Sequence, residues 1–317
     1  MQIAFIGKRK DGSWRGELSS GALELARRMA AAGHSVFLYA DGIQSDPRQG
    51  IITVSTPKTV AKIFGKQGYA VWAAGHCLMR PYDAAHFTED LPLKARILVR
   101  TLRFFKKRTA VVEERVGFAV EAHLTSNAKV LSEANLKSKR YFLAKSHLGK
   151  ESGLHQLVEA FKRLEDTAKV PNAFKLVIVA QGETDDDYAR YLEMICHGRE
   201  NILLVCLADE AALGQLLMHA YLFVHPSTSA KDDISLRQAM SYGLATLASG
   251  KHDRSAGRIG FVFKEGVAEL GDKLAYLLAR PDEVAKAAAL SYEHARVRYG
   301  WETLMEKTLK RYAHQTK

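Results

Sequence analysis

The chain has 317 residues, 47% of them hydrophobic, and its 46 Lys and Arg against 35 Asp and Glu give a formal net charge of +11. This length and apolar content predict a globular protein with two domains of ordinary size. The three cysteines, Cys77, Cys196 and Cys206, are too far apart for a disulfide framework or a Cys-x-x-Cys metal site. No run of about 18 apolar residues is present, so no membrane-spanning helix is predicted.

The excess of positive charge favours an anionic partner, which can be a nucleotide, a phospholipid surface or a nucleic acid. So few cysteines favour a reducing compartment. The basic residues Lys8, Arg9 and Lys10 follow the first apolar residues too soon for a signal peptide. We therefore expect a cytoplasmic protein, either free or peripheral on the inner face of the membrane.

The first half of the chain begins with a strand, loop, helix and strand. The strands are predicted at residues 2–6 and 35–39, and the helix between them at residues 22–32. The glycines of the intervening loop fit neither G-x-G-x-x-G nor the P-loop. A further buried strand is predicted at residues 69–74, ending at Gly75 and His76, and the last strand of this domain at residues 122–126.

The most basic part of the chain is residues 91–108. On a helical wheel its apolar residues occupy one half, while Arg96, Arg100, Arg103 and Lys107 cluster on the other. Such a helix can lie on an anionic bilayer. It can equally pack its apolar half on a sheet and leave the basic face in water. Nucleic-acid binding is less favoured, because no aromatic platform accompanies the charge.

In the second half, strands alternate with helices after a charged connection at residues 135–140. The most informative stretch is residues 222–249, which reads as a strand, a polar loop, a helix and a second strand. Asp232, Asp233 and Ser235 lie where the helix starts, Gln238 lies inside it, and Gly243 ends it. In a parallel sheet this loop lies at the carboxyl edge, where open α/β sheets bind ligands.

Four features of this half belong together: HPS at 225–227, QAMSYGLAT at 238–246, SAGRIGFVF at 255–263, and two lysines five positions apart, Lys145 and Lys150. In these features the chain resembles family 4 glycosyltransferases, which have an arginine and a lysine at the same spacing. GHSV at 33–36 and the tail that contains Trp301 and Tyr312 also resemble the corresponding segments of this family. The chain departs from the family at Gln238 and Ala230, where glutamates are expected, at Ala245 for proline and at Glu151 for glycine.

The resemblance implies the α/β GT-B fold, in which two doubly wound Rossmann-like domains face a cleft. Residues 1–138 would form the acceptor-side domain and residues 139–300 the nucleotide-sugar donor domain. Residues 301–317 would form a helix that packs back on the first domain. The implied enzyme is a retaining hexosyltransferase of cell-surface polysaccharide or glycolipid synthesis, which uses a nucleotide sugar as donor, without a further cofactor and without a metal.

The resemblance also assigns roles to individual residues. Lys145, Lys150 and a helix N-terminus would hold the donor diphosphate, which Gly16 would approach with its backbone. Gln238 would bind the ribose, and the backbone from Leu207 to Asp209 would lie along the base. His76, the catalytic candidate, would face the donor sugar from the first domain. Four residues of the second domain would bind the sugar: Asp232, Asp233, Ile234 and Ser235.

Two other classes of protein stay open at this point. The departures at Gln238, Ala230 and Glu151 are compatible with a catalytically degenerate binding or scaffold subunit that kept the fold. A nicotinamide-dependent oxidoreductase would also use Rossmann-like domains, but the chain lacks the G-x-G-x-x-G fingerprint.

Overall fold

The computed structural model describes residues 1–7, 20–39, 48, 50–55, 68–88, 97–99, 109–113, 122, 129–206, 210–227, 233–250, 259–264 and 266–315. The chain divides into two compact units. Unit 1 is Met1–Ala119 together with Trp301–Lys317, and unit 2 is Val120–Gly300. The division thus falls before Val120, whereas the sequence predicted it between residues 138 and 139. Leu131 and Leu136 account for the difference, because both are buried in a core of unit 2.

Unit 1 contains a five-stranded parallel sheet in the order β3-β2-β1-β4-β5. Its strands are β1 Gln2–Ile6, β2 Ser35–Tyr39, β3 Ile51–Thr53, β4 Ala84–Phe87 and β5 Ala110–Glu113. The helices described in this unit are α1 Ser20–Ala31, α2 Gly68–Met79 and, from the end of the chain, α10 Trp301–Gln315. Strand residues alternate between the two faces: Ala4 and Ile6 pack towards α2, while Ile3 and Phe5 pack towards α1 and α10.

The prediction of a strand at residues 69–74 is wrong, because these residues form the middle of α2. A short apolar run is equally compatible with a buried strand and a buried helix. Here the alanines favour a helix. The sheet order also requires a crossover at this point, because β3 and β4 lie on opposite sides of β1 and parallel strands cannot be joined by a hairpin.

Unit 2 contains a six-stranded parallel sheet in the order β11-β10-β9-β6-β7-β8. Its strands are β6 Tyr141–Leu148, β7 Lys175–Thr184, β8 Ile202–Cys206, β9 Leu222–His225, β10 Thr246–Ser249 and β11 Phe261–Phe263. The helices described in unit 2 are α3 Lys129–Glu133, α4 Leu154–Asp166, α5 Asp186–Cys196, α6 Glu210–His219, α7 Asp233–Ser241, α8 Val267–Leu278 and α9 Pro281–Tyr299.

Helices cover both faces of the second sheet, and the alternation of strand residues shows this. Phe142 and Ala144 of β6 pack into the core shared with α4 and α8. Tyr141 and Leu143 point the opposite way, into the core shared with α3, α6 and α7. Because both faces are buried, the strands are almost continuously apolar, as is usual in parallel sheets.

Candidate functional site

The sheet of unit 2 has a topological switch point between β6 and β9. β6 is the first strand of this sheet in sequence, and the chain proceeds to β7 on one side and later returns to β9 on the other. The pairs Phe142 with Leu222 and Leu143 with Phe223 fix the register of these two strands. The loops that leave their carboxyl ends diverge to opposite faces, and the crevice between such loops is where open α/β sheets bind ligands.

Lys145 and Gln238 meet at this switch point. Lys145 lies in β6 with only 7% of its surface exposed, and its Nζ donates to Oε1 of Gln238 on α7 over 2.7 Å. Gln238 is held in place because its helix neighbours Leu236, Ala239 and Met240 are fully buried against the sheet. Two residues predicted to touch adjacent parts of a nucleotide, and separated by 93 positions, are therefore in direct contact.

The loop after β6 carries Lys150 beside the loop after β9. Lys150 is exposed in a single 3₁₀ turn, Lys150–Ser152, which ends at Gly153. Gly153 has φ +67°, and a Cβ there would lie 2.6 Å from the carbonyl oxygen of Pro226. The Ser227 hydroxyl donates to the Glu151 carbonyl over 3.3 Å. Only glycine allows the backbone at position 153 to come this close to Pro226. This contact and the hydrogen bond of Ser227 hold the two loops of the switch point together.

The N-terminus of α4 is capped from within the protein. The Leu154 amide donates to Ser152 Oγ over 3.4 Å, and the His155 amide donates to the Tyr188 hydroxyl over 3.1 Å. Burial raises the pKa of Tyr188, so this hydroxyl stays neutral near pH 7. These two amides already have acceptors within the protein. If the helix terminus stabilises a diphosphate, it therefore does so through the helix dipole and not through hydrogen bonds from these amides.

Glu151, which replaces a glycine of the resembling family, has its carboxylate directed to His147. Its Oε1 lies 3.0 Å from Nε2 of that histidine, four residues earlier in the chain. The carboxylate is therefore held by the loop itself.

Many of the predicted site residues lie outside the described residues. These are Gly16, Leu207, Asp209, Asp232 and the basic set Arg96, Arg100, Arg103 and Lys107. Of the sugar-binding set, Asp233 is described only as the first residue of α7, and Ile234 and Ser235 follow it, half-buried, in the first turn. This turn follows β9 and so lies at the carboxyl edge of the sheet, where Lys145 also lies.

His76 does not end a strand, as the sequence predicted, but lies near the end of α2. Its Nδ1 is 2.9 Å from the Tyr39 hydroxyl, and its ring stacks on Trp72 at 4.9 Å. Burial and then the charge of Arg80 lower its pKa. His76 was assigned to the donor sugar because it was predicted to lie at the carboxyl end of a strand. Its position in a helix removes this geometric reason.

The strand that pairs with β1 at this position is β4, which ends at Phe87 and is followed by Thr88. This strand was not predicted from the sequence. Thr88 is buried, and its amide and hydroxyl both donate to the Ile6 carbonyl, over 3.0 and 3.1 Å. The preceding His86 is buried and bonds through Nδ1 to the Tyr312 hydroxyl at 2.7 Å. The run Ala84–Phe87 is short and contains two alanines and a histidine, so its strand propensity is weak.

Solved glycosyltransferases share this fold. A glycosyltransferase from Rickettsia africae has a TM-score of 0.72 at 12% identity, over 100% of this chain and 98% of the other. HepE from Anabaena, solved with UDP and glucose, has a TM-score of 0.62 at 15% identity, over 99% and 100%. WaaG, a glycosyltransferase involved in lipopolysaccharide biosynthesis, has a TM-score of 0.56 at 16% identity, over 96% and 98%.

At these identities the structural likeness defines the fold, which is GT-B. The particular family comes from the sequence of unit 2, where residues 139–280 match the family described as Glycosyl transferases group 1. Unit 2 therefore carries a glycosyltransferase group 1 domain in a chain with the GT-B fold, so the predicted fold class and the resemblance to family 4 glycosyltransferases are confirmed. No curated protein matches the sequence significantly. In the described parts of the chain no helix is long and apolar enough to cross a membrane.

Proposed function

We propose that this protein transfers a sugar from a nucleoside-diphosphate sugar to an acceptor hydroxyl, with retention of the anomeric configuration. The observation that carries the proposal is the meeting of Lys145 and Gln238 at the switch point of unit 2, beside the loop of Lys150. The group 1 match over residues 139–280 supports sugar transfer as the reaction class. The HepE structure, which contains UDP and glucose, supports a nucleotide sugar as the donor.

In the proposed reaction the bond between the anomeric carbon and the diphosphate oxygen breaks, and a bond from that carbon to the acceptor oxygen forms. The nucleoside diphosphate leaves with the electron pair, so negative charge grows on the departing diphosphate. The acceptor hydroxyl then passes its proton to that departing oxygen. Lys145 and Lys150 would stabilise that charge, and the buried position of Lys145 strengthens its effect because little water screens it.

The finer parts of the proposal concern the acceptor. Synthesis of cell-surface polysaccharide or glycolipid is supported by the fold shared with WaaG and by the basic residues of segment 91–108. An acceptor anchored in an anionic membrane would suit a protein that is cytoplasmic and peripheral on the inner face. The described residues of that segment are 97–99, in which Ile97 is 57% exposed while Val99 is buried.

The test is to measure the binding of UDP, GDP, ADP and their sugars to the whole chain. Binding is measured by calorimetry and by the shift in the temperature of thermal unfolding. A donor that binds the folded protein raises its melting temperature by mass action. Binding of one nucleotide family, followed by release of the sugar or its transfer to an acceptor, would support the proposal. A folded protein that binds none of the nucleotides would contradict it.

A non-catalytic binding or scaffold subunit is the second candidate. The observation that favours it is the departure from the family at three positions, with Gln238 and Ala230 where glutamates are expected and Glu151 where glycine is expected. Such a subunit would bind a nucleotide or an acceptor without turnover. Slow hydrolysis or transfer with any nucleotide sugar would exclude it.

A further inference from the structure

In the hydrogen bond between Lys145 and Gln238, the donor and the acceptor are fixed by the chemistry of the two side chains. A lysine ammonium has only donors, so it must face the oxygen of the Gln238 carboxamide and not the nitrogen. At 2.7 Å this bond is at the short end of the normal range for N–H···O bonds. The oxygen of Gln238 is thus engaged by a lysine that is 7% exposed, and the other polar group of the side chain, Nε2, can only donate.

The neutral carboxamide has a consequence for the charge at the site. A carboxylate at the same position would form an ion pair with Lys145 and offset its positive charge. The carboxamide accepts the same hydrogen bond without adding a negative charge. Since Lys145 is only 7% exposed, few water molecules screen its charge, and this difference of one charge acts directly on an anion that binds beside it.

We infer that Gln238 is a positioning residue for Lys145: it holds the ammonium at the carboxyl edge of the sheet without adding a negative charge beside the diphosphate, and its oxygen, which is bonded to Lys145, does not serve as the ribose acceptor. The inference rests on the proposed function for the identity of the anion. It reverses the expectation for Gln238→Glu, because restoring an acidic residue would weaken diphosphate binding rather than repair a ribose site.

Two substitutions separate the parts of this inference. Gln238→Met keeps the length and removes the acceptor, and Gln238→Glu keeps the acceptor and adds a charge. Gln215→Glu is the matched control, because Gln215 is also a buried glutamine of unit 2 whose Oε1 accepts a hydrogen bond, from the Val130 amide over 3.1 Å. Melting temperature and circular dichroism establish that each variant is folded.

The first measurement needs no ligand. In protein labelled with ¹⁵N-lysine, the Nζ signal of Lys145 is assigned by its loss in Lys145→Met. We expect this signal to move to the position of mobile lysines in Gln238→Met and to persist in Gln238→Glu and Gln215→Glu. An unchanged signal in Gln238→Met would overturn the positioning role, whether or not any nucleotide binds.

The second measurement is calorimetry with UDP, GDP, ADP, their nucleosides and inorganic pyrophosphate. We expect Gln238→Glu to weaken diphosphate and pyrophosphate binding by tenfold or more, with nucleoside binding unchanged. Stronger binding of diphosphate and nucleoside alike would show a ribose site and overturn the inference. Pyrophosphate binding without nucleotide binding would defeat the proposed function alone, and a wild-type protein that binds none of these probes would defeat both.

Discussion

At the residue scale, Lys150 is an exposed cation at the switch point of unit 2 and is predicted to contact the diphosphate. We expect Lys150→Ala to weaken nucleoside-diphosphate binding roughly tenfold, which corresponds to the loss of one charge-assisted hydrogen bond, and to leave nucleoside binding unchanged. Calorimetry measures both affinities. Lys169→Ala is the control, since Lys169 is exposed beyond the other end of α4. Equal losses for diphosphate and nucleoside would contradict a phosphate contact.

His86 makes the stability of unit 1 dependent on pH. Burial, and then the charge of Arg311, lower its pKa to about 4, from 6.5 in the unfolded chain. The unfolded chain binds the proton more tightly, so the neutral histidine contributes stability above pH 6.5 that is lost as the pH falls towards 4. The full loss is about 3 kcal/mol.

Tryptophan fluorescence can follow this effect in unit 1 alone, because Trp14, Trp72 and Trp301 all belong to that unit. We expect the free energy of unfolding by urea to fall between pH 7 and pH 5, and to fall less in His86→Gln, which cannot titrate. The same pH dependence in both proteins would show that His86 is not the cause.

At the element scale, the close approach of the loops after β6 and β9 depends on Gly153. We expect Gly153→Ala to destabilise unit 2 by about 2 kcal/mol or more, because the new Cβ meets the Pro226 carbonyl and the residue must also hold a positive φ. Gly198→Ala has the same backbone cost, with φ +76°, but nothing lies within 4 Å of its Cβ. Urea unfolding followed by circular dichroism compares them, and equal losses would show that crowding adds nothing.

The basic segment 91–108 gives a second prediction at this scale. Replacing Arg96, Arg100 and Arg103 with glutamate should release the protein from anionic liposomes in a sedimentation assay, because each basic residue contributes about 1 kcal/mol to membrane binding. The same change at three exposed arginines of unit 2, Arg140, Arg190 and Arg298, is the control. Unchanged cosedimentation of the first variant would assign the segment to packing within unit 1.

At the scale of the whole molecule, the chain ends by returning to unit 1. The crossing is at Gly300, where a Cβ would lie 2.5 Å from the Arg296 carbonyl oxygen. After it, α10 packs on the face of the sheet that α1 covers, and Tyr312 is fully buried there. The segment that follows unit 2 in sequence therefore completes the core of unit 1.

Tyr312→Phe tests how much this return contributes. It removes the bond to His86, so we expect a loss of about 1 to 2 kcal/mol in the unfolding of unit 1, read by tryptophan fluorescence, with unit 2 unchanged by circular dichroism. Tyr292→Phe, at a tyrosine of α9 that is 46% exposed, should change neither transition. A loss confined to unit 2 would contradict the assignment of α10 to unit 1.

The sequence by itself determined the α/β class, the limits of β1 and β2 and the family resemblance of unit 2. These features depend on local periodicity, on glycines and on motif spacing, which are all present in the chain before it folds. The resemblance also predicted that Lys145 and Gln238 contact neighbouring parts of one nucleotide.

Only the tertiary structure decided that residues 69–74 are helical, that His76 lies away from a strand end, and that Lys145 bonds to Gln238 across 93 positions. The physical reason is the same in each case. A short apolar run fits a buried strand and a buried helix equally well, and the sheet order selects between them. Likewise, the contact of two distant side chains depends on which strands become neighbours, and that is a property of the whole fold.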